Sequence, residues 1–299
     1  MQNFLSLKLY LQNKPTIEIV NLFKNFWSRA KFLIKIQLII YFGISFLFFL
    51  LILNSCSSTK KMTAKLGEIK KTDMEMIEFP ADTNANALIL SDIGEVSFTD
   101  NLEMVFERYR RVKILKEAGF HFGTVTIPYY AKDGSQHVKS IVGQTYNINA
   151  DSSIQTVQLA KDSIITEDME DGWRRLRFTL PAIKRGSIIE YSYKLYAKKF
   201  AWLRKWEFQT EEPTLYSEFK AEIPEFLNYI MIYQGTDSFD VYESETYSRQ
   251  IKYFLRKNTT NFTINRWAMR DVPALRREPF ITTLDDYRMM IRFQLANTV

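Results

Sequence analysis

One cysteine, two histidines and ten glycines in 299 residues close off several kinds of chemistry. With Cys56 as the sole thiol, no disulfide forms within the chain, and stability has to come from packed apolar faces. A thiolate zinc site needs several cysteines, and His121 with His137 are too few for a histidine-rich catalytic metal centre, so neither metal nor cofactor is expected. The sequence has no glycine-rich phosphate loop, no His-Glu-x-x-His and no Gly-x-Ser-x-Gly. A nucleic-acid binder needs a concentrated basic face. Here the formal net charge of +6 is mostly local: Lys8, Lys14, Lys24, Arg29, Lys31 and Lys35 face only Glu18 within residues 1–55. About +1 remains for residues 56–299, and no nucleic-acid partner is expected.

That same basic segment leads into an uncharged apolar run from Leu38 to Leu53, closed by Leu53-Asn54-Ser55-Cys56. A basic flank, an apolar stretch and a small residue before the cut form the pattern of a secretory signal. Leucine three places upstream and serine just upstream of the cysteine resemble a bacterial lipoprotein signal, with Cys56 as the lipidated residue. An uncleaved anchor over Phe32–Leu53 is the alternative, since that stretch has about the length a spanning helix needs. A third reading makes Cys56 an ordinary residue at a helix end. The first two place everything beyond residue 60 outside the cytoplasm, in the periplasm or on the outer membrane, tied to a membrane by lipid or anchor. Ser57 to Lys61 then read as a polar tether, and residues 57–86 as tether and lead-in segment with a short helix or irregular structure.

From Ala87 onward the apolar period is two, the mark of strands. Ile189, Tyr191, Tyr193 and Leu195 alternate with Glu190, Ser192 and Lys194, and Leu176, Phe178 and Leu180 alternate with Arg175, Arg177 and Thr179. One apolar face and one polar face per strand suit antiparallel sheets covered on one side. Many short strands predict an all-β chain: a large antiparallel β-sandwich over residues 87–268, either single or split near Glu211–Leu215 into two stacked sandwiches. Residues 269–299 read as a proline-marked connector followed by a strand at Met289–Leu295. With no turn or cap behind it, that strand is expected to open a missing downstream domain.

No nucleophile–base pair stands out, and no catalytic residue is expected. The acidic run Glu167–Asp171 lacks the alternating oxygen ligands of a calcium loop. Arg174-Arg175-Leu176-Arg177 and Arg108-Tyr109-Arg110-Arg111 read as charged outer strand faces, with a binding face for an acidic partner or glycan as the sharper reading. Trp202 and Trp206 lie in a dense aromatic stretch that either packs in the core or stacks against a ligand. Together Trp202, Trp206, Arg175 and Arg177 make the candidate binding surface.

Leu180-Pro181, Lys184-Arg185-Gly186-Ser187-Ile188-Ile189-Glu190-Tyr191-Ser192-Tyr193, Trp206-Glu207-Phe208-Gln209 and Pro213 resemble the family catalogued as domain of unknown function 3857. Asp271-Val272-Pro273-Ala274-Leu275, Glu278-Pro279-Phe280 and Asp285-Asp286-Tyr287 resemble that family's connector to a transglutaminase-like domain. The similarity covers roughly residues 65–299 and implies a β-sandwich module of Bacteroidota-type cell envelopes. Family members carry a Cys-His-Asp core downstream. No cysteine follows Cys56 and no histidine follows His137, so the resemblance brings no catalytic residue. Two functions are therefore expected in competition. One is a non-catalytic, envelope-anchored module that binds or positions a transglutaminase-like domain. The other is the N-terminal fragment of a transglutaminase-like cysteine peptidase or cross-linking enzyme.

Overall fold

Residues 66–198, 203–253, 256–277 and 283–298 are described by the structure, a computed structural model. The signal or anchor segment, Cys56 and Trp202 lie outside the described residues. Among the described residues no helix is long and apolar enough to cross a membrane.

The chain is all-β, built on one eight-stranded sheet. Five of its strands are β1 (Ala87–Phe98), β2 (Met104–Ile114), β4 (Gln136–Ile148), β5 (Ile154–Gln158) and β8 (Ile188–Ala197). They run antiparallel in the order β1-β2-β8-β4-β5. The other three are β10 (Thr214–Pro224), β12 (Val241–Tyr253) and β13 (Arg256–Val272), antiparallel in the order β12-β13-β10. A single parallel ladder between β1 and β10 joins the two groups, with Ile89 opposite Thr214 and Val96 opposite Ala221. The two halves expected on either side of residues 211–215 therefore share one continuous sheet, and its one parallel pair departs from an all-antiparallel design.

Two three-stranded sheets cover the inner face. One contains β3 (Thr124–Tyr130), β6 (Ile165–Asp168) and β7 (Trp173–Thr179) in the order β3-β7-β6. The other contains β9 (Trp206–Glu207), β11 (Leu227–Gln234) and β14 (Met290–Thr298) in the order β11-β14-β9. Alternation sends Ile127, Phe178, Phe208, Leu227 and Ile291 into one core with Phe106, Val112, Leu195, Phe219 and Trp267 of the large sheet. The final strand therefore pairs with β11 from Leu227–Thr298 to Gln234–Met290 and belongs to this sandwich. Its partner lies some sixty residues upstream, which is why no local turn announces it.

The outer face of the large sheet carries a small apolar core at one end. Leu88, Leu90, Leu115 and Ile188 form a small core there with Met74 of α1 (Lys71–Glu75), so the lead-in segment works as a strap. Lys113, fully buried, pins it by donating to Met74 O and Gly186 O, both at 2.7 Å. Residues 62–299 make one compact unit.

Candidate functional site: an arginine cluster on the inner face

A bulge in β1 creates the site. Ala87 and Ile89 pair with Ile114 and Val112 on the inner face, but the register shifts between Ile89 and Ser91. One extra residue inverts the facing of everything beyond it. Asp92 and Gly94, which simple alternation from Leu88 would turn outward, thus face inward opposite Arg110 and Arg108. On the neighbouring strand Tyr191 and Tyr193 stand opposite the same two arginines. A polar island results in the middle of an apolar face.

Its geometry is well defined. Asp92, 1% exposed, accepts from Arg108 Nε at 2.9 Å and Nη2 at 2.7 Å, a bidentate pair. Arg110 Nε lies 3.3 Å from the same carboxylate without a well-directed hydrogen bond, and it is a buried donor left unpaired. Arg110 also lies over the Phe122 ring at 5.7 Å, and Arg108 lies over Trp206 at 5.1 Å. A third guanidinium, that of Arg204, sits 5.8 Å above Phe106 and donates to Pro128 O at 2.8 Å. Gly94 makes this stacking possible: a Cβ there would meet Trp206 Cζ3 at 2.4 Å and Phe219 at 2.9 Å.

Two guanidiniums thus share one carboxylate, and a third, that of Arg204, lies close enough for Arg108 to repel it. Burial works against the charge of Arg108, but Asp92 beside it holds its pKa well above the ordinary arginine value. Arg204 moves the other way, lowered by burial and then by repulsion from Arg108. Burial raises the Tyr193 hydroxyl pKa, against the two arginines that lower it. Side-chain exposures of 27% for Arg108 and 14% for Arg110 bring water to the edge of the island. Buried charge is expensive unless paired, so an unbalanced cluster is a feature that packing alone would not favour. Chemically it can hold a carboxylate or phosphate. Asp92 is engaged by two arginines, which leaves it no role as a general base. No group of three metal-ligating side chains occurs among the described residues.

The residues singled out from sequence are dispersed. Trp206 is 2% exposed, stacked on Phe219 at 5.2 Å, and its indole donates to Ser217 Oγ at 3.1 Å, which makes it core and not surface. Arg175 and Arg177 lie on the small sheet beside each other on one face of β7. Arg175 pairs with Glu167 across the ladder, and Arg177 is exposed between Thr126 and Ile165. Arg108 and Arg110, read as outer-face charges, point inward. One sequence signal for this existed: Arg108-Tyr109-Arg110-Arg111 puts charge on both faces of a strand that has only one face to solvent.

The fold and this cluster define an all-β, two-layer module with a basic cluster on the inner face of its large sheet. The chain belongs to the family described as Domain of Unknown Function with solved-structure structure (DUF3857), whose model matches residues 100–276. Among solved structures it is similar to one described as the "putative protease" from Parabacteroides distasonis ATCC 8503, with a TM-score of 0.51 and 13% identity. That match covers 70% of this chain and 40% of the other, and it shows the fold alone. No curated protein matches the chain.

Proposed function

We propose that this chain is a non-catalytic binding or positioning module of the cell envelope, held at a membrane through lipid on Cys56 or through an uncleaved anchor. The observation that carries the binding role is the arginine cluster, where one carboxylate serves two guanidiniums and a third lies beside them. Its chemistry selects an acidic group on a protein or glycan partner. The experiment is binding of a polyglutamate peptide to the full chain, followed by fluorescence, with Arg204→Gln as the variant because Arg204 has no acidic partner among the described residues to lose. The expected loss is about tenfold in affinity. Equal binding by the variant, or hydrolysis or cross-linking of peptides by the purified chain, would overturn the reading. Anchoring is tested separately: labelled palmitate should enter the chain and should fail to enter Cys56→Ala.

One observation favours a second reading, the N-terminal part of a transglutaminase-like peptidase. The structural neighbour described as a "putative protease" is longer, and this chain covers 40% of it. A reading frame continuing past Val299 with Cys, His and Asp in that order would establish this reading; an immediate stop with no related frame would remove it.

A further inference from the structure

The loop from β11 to β12 builds a cavity of about 480 Å³, within the range of small-ligand sites. Four of its lining residues are aromatic and differently oriented. Tyr233 meets Phe239 edge-on at 5.4 Å, while Tyr242 stacks on Trp267 at 5.9 Å and 25°. Tyr233 and Tyr242 are 44% and 58% exposed, whereas Trp267 is buried between Tyr242 and Phe219, so the outer faces of the two tyrosines are the surfaces a ligand meets. Thr236, Asp237 and Ser238 complete the rim.

The loop is held in shape without a ligand. Gly235 has a φ of +70°, and a Cβ there would lie 2.7 Å from Tyr287 O. Thr236 Oγ1 donates to Ser238 O at 2.6 Å and accepts from Ser238 N at 3.3 Å. The charge pattern is one-sided: among the described residues, exposed Asp237 has neither an ion pair nor a side-chain hydrogen bond, and no lysine or arginine lines the cavity. The arginines on the neighbouring segments are occupied elsewhere, Arg288 by Glu207 and Asp285, and Arg270 over the Tyr216 ring.

Aromatic faces carry negative charge density and attract cations within about 6 Å of the ring centre. An unpaired carboxylate adds to the same field. We propose that this cavity binds an organic ammonium group, either a free quaternary amine or the side chain of a lysine on a partner protein. This inference stands independently of the arginine cluster.

The test is a fluorescence titration of the full chain with choline chloride at constant ionic strength. Its uncharged isostere 3,3-dimethyl-1-butanol and glucose serve as controls, and Nα-acetyl-lysine amide serves as the peptide-like arm. Saturable choline binding is expected, at least about tenfold tighter than the isostere. Tyr242→Leu and Asp237→Asn should each lose about tenfold, and Tyr242→Phe should retain binding. Tyr242 is exposed on an edge strand, and an unchanged circular dichroism spectrum confirms that each variant folds. Tighter binding of the lysine amide than of choline assigns the site to a partner's lysine, and the reverse order assigns it to a free amine. Equal affinity for the isostere, saturable glucose binding in place of choline, or undiminished binding by Tyr242→Leu would overturn the proposal.

Discussion

Arg110 and Arg111 are neighbours in β2 and point to opposite faces of the large sheet, each toward a buried carboxylate. On the outer face Glu190, 0% exposed, accepts from Arg111 Nε at 3.0 Å and Nη2 at 2.8 Å, Tyr109 at 2.9 Å, Gln144 at 2.6 Å, Gly67 N at 2.8 Å and the Tyr146 hydroxyl. Burial raises its pKa, but the bonds from Tyr146, Gln144 and Arg111 outweigh it and hold the carboxyl below its ordinary value. On the inner face Asp92 divides one charge between two arginines, with a third nearby. The outer network is saturated with donors, and the strap covers it; Arg111 also donates to Glu68 O at 2.9 Å. The inner network is short of acceptors, and its two paired arginines keep partial exposure. A closed network fixes a fold, whereas an unbalanced one leaves capacity for a ligand.

The largest expected effect lies on the closed side. Glu190→Ala takes its buried carboxylate from Arg111 and the acceptor from two tyrosine hydroxyls under the strap, and breaking a buried pair in this way costs about 3–5 kcal/mol. For a unit of this size the thermal midpoint should fall by roughly 10 °C. Limited proteolysis should then cut residues 66–86 first, because Gly67 loses its acceptor. A variant that kept its midpoint and its protease resistance would show that the outer network does not lock the strap.

Asp92→Asn probes the open side and should cost about 3 kcal/mol, since two guanidiniums are left without their carboxylate. The comparison sharpens when inorganic phosphate is added. Phosphate should recover part of the loss in Asp92→Asn by binding among the clustered arginines, and it should recover little in Glu190→Ala, where the network offers a single guanidinium, that of Arg111. Equal recovery in both variants in a thermal melt would mean general salt stabilisation, and the distinction between the faces would fail.

Much of the sandwich was legible in the alternation of residues 188–195 and 176–180, because the period of two survives wherever a strand has one wet face. The bulge near Leu90 was not legible. Ala87–Leu90 is apolar on both faces, so nothing local shows where the register slips, and the inward turn of Asp92 depends on that slip. Trp206 illustrates a different limit. Whether a tryptophan stacks on a ligand or on the core is decided here by Gly94, more than a hundred residues away in sequence. The strand at Met290–Thr298 was legible as a strand but not as part of this sandwich, because its pairing with β11 is entirely non-local.

Lys113 carries the next effect down. Burial pushes its ammonium down to about 8, against Asp73, which raises it. Between pH 8 and about 10 the unfolded chain therefore holds a proton that the folded chain has released, and stability rises with pH across that window. Below pH 8 both states are protonated and the cost of burying the charge is fully present. Urea unfolding should show a gain of about 2 kcal/mol from pH 8 to 10 that is absent in Lys113→Met. Above pH 10 the sign reverses, because burial holds the Tyr109 and Tyr146 hydroxyls protonated in the folded state while they ionise in the unfolded one. A flat wild-type profile from pH 8 to 10 would mean that the strap admits water to the ammonium, and the outer face would then be less closed than Glu190 suggests.

His121 gives the smallest effect and a surface reference for both buried networks. Its Nε2 lies 2.9 Å from Glu211 Oε1 and its Nδ1 lies 2.7 Å from Ala118 O, so both ring nitrogens face acceptors. Partial burial lowers its pKa, but these two bonds outweigh burial and raise it above the ordinary imidazole value. The pair therefore contributes below the unfolded pKa and is lost as pH rises through the folded one. At 57% side-chain exposure, solvent screening leaves little of this as stability. Proton NMR should show His121 titrating above the ordinary value, and Glu211→Gln should return it toward that value with almost no change in the thermal midpoint. A large midpoint change from Glu211→Gln would mean that an exposed ion pair steadies this fold as the buried ones do, and burial would no longer separate structural charge from functional charge here.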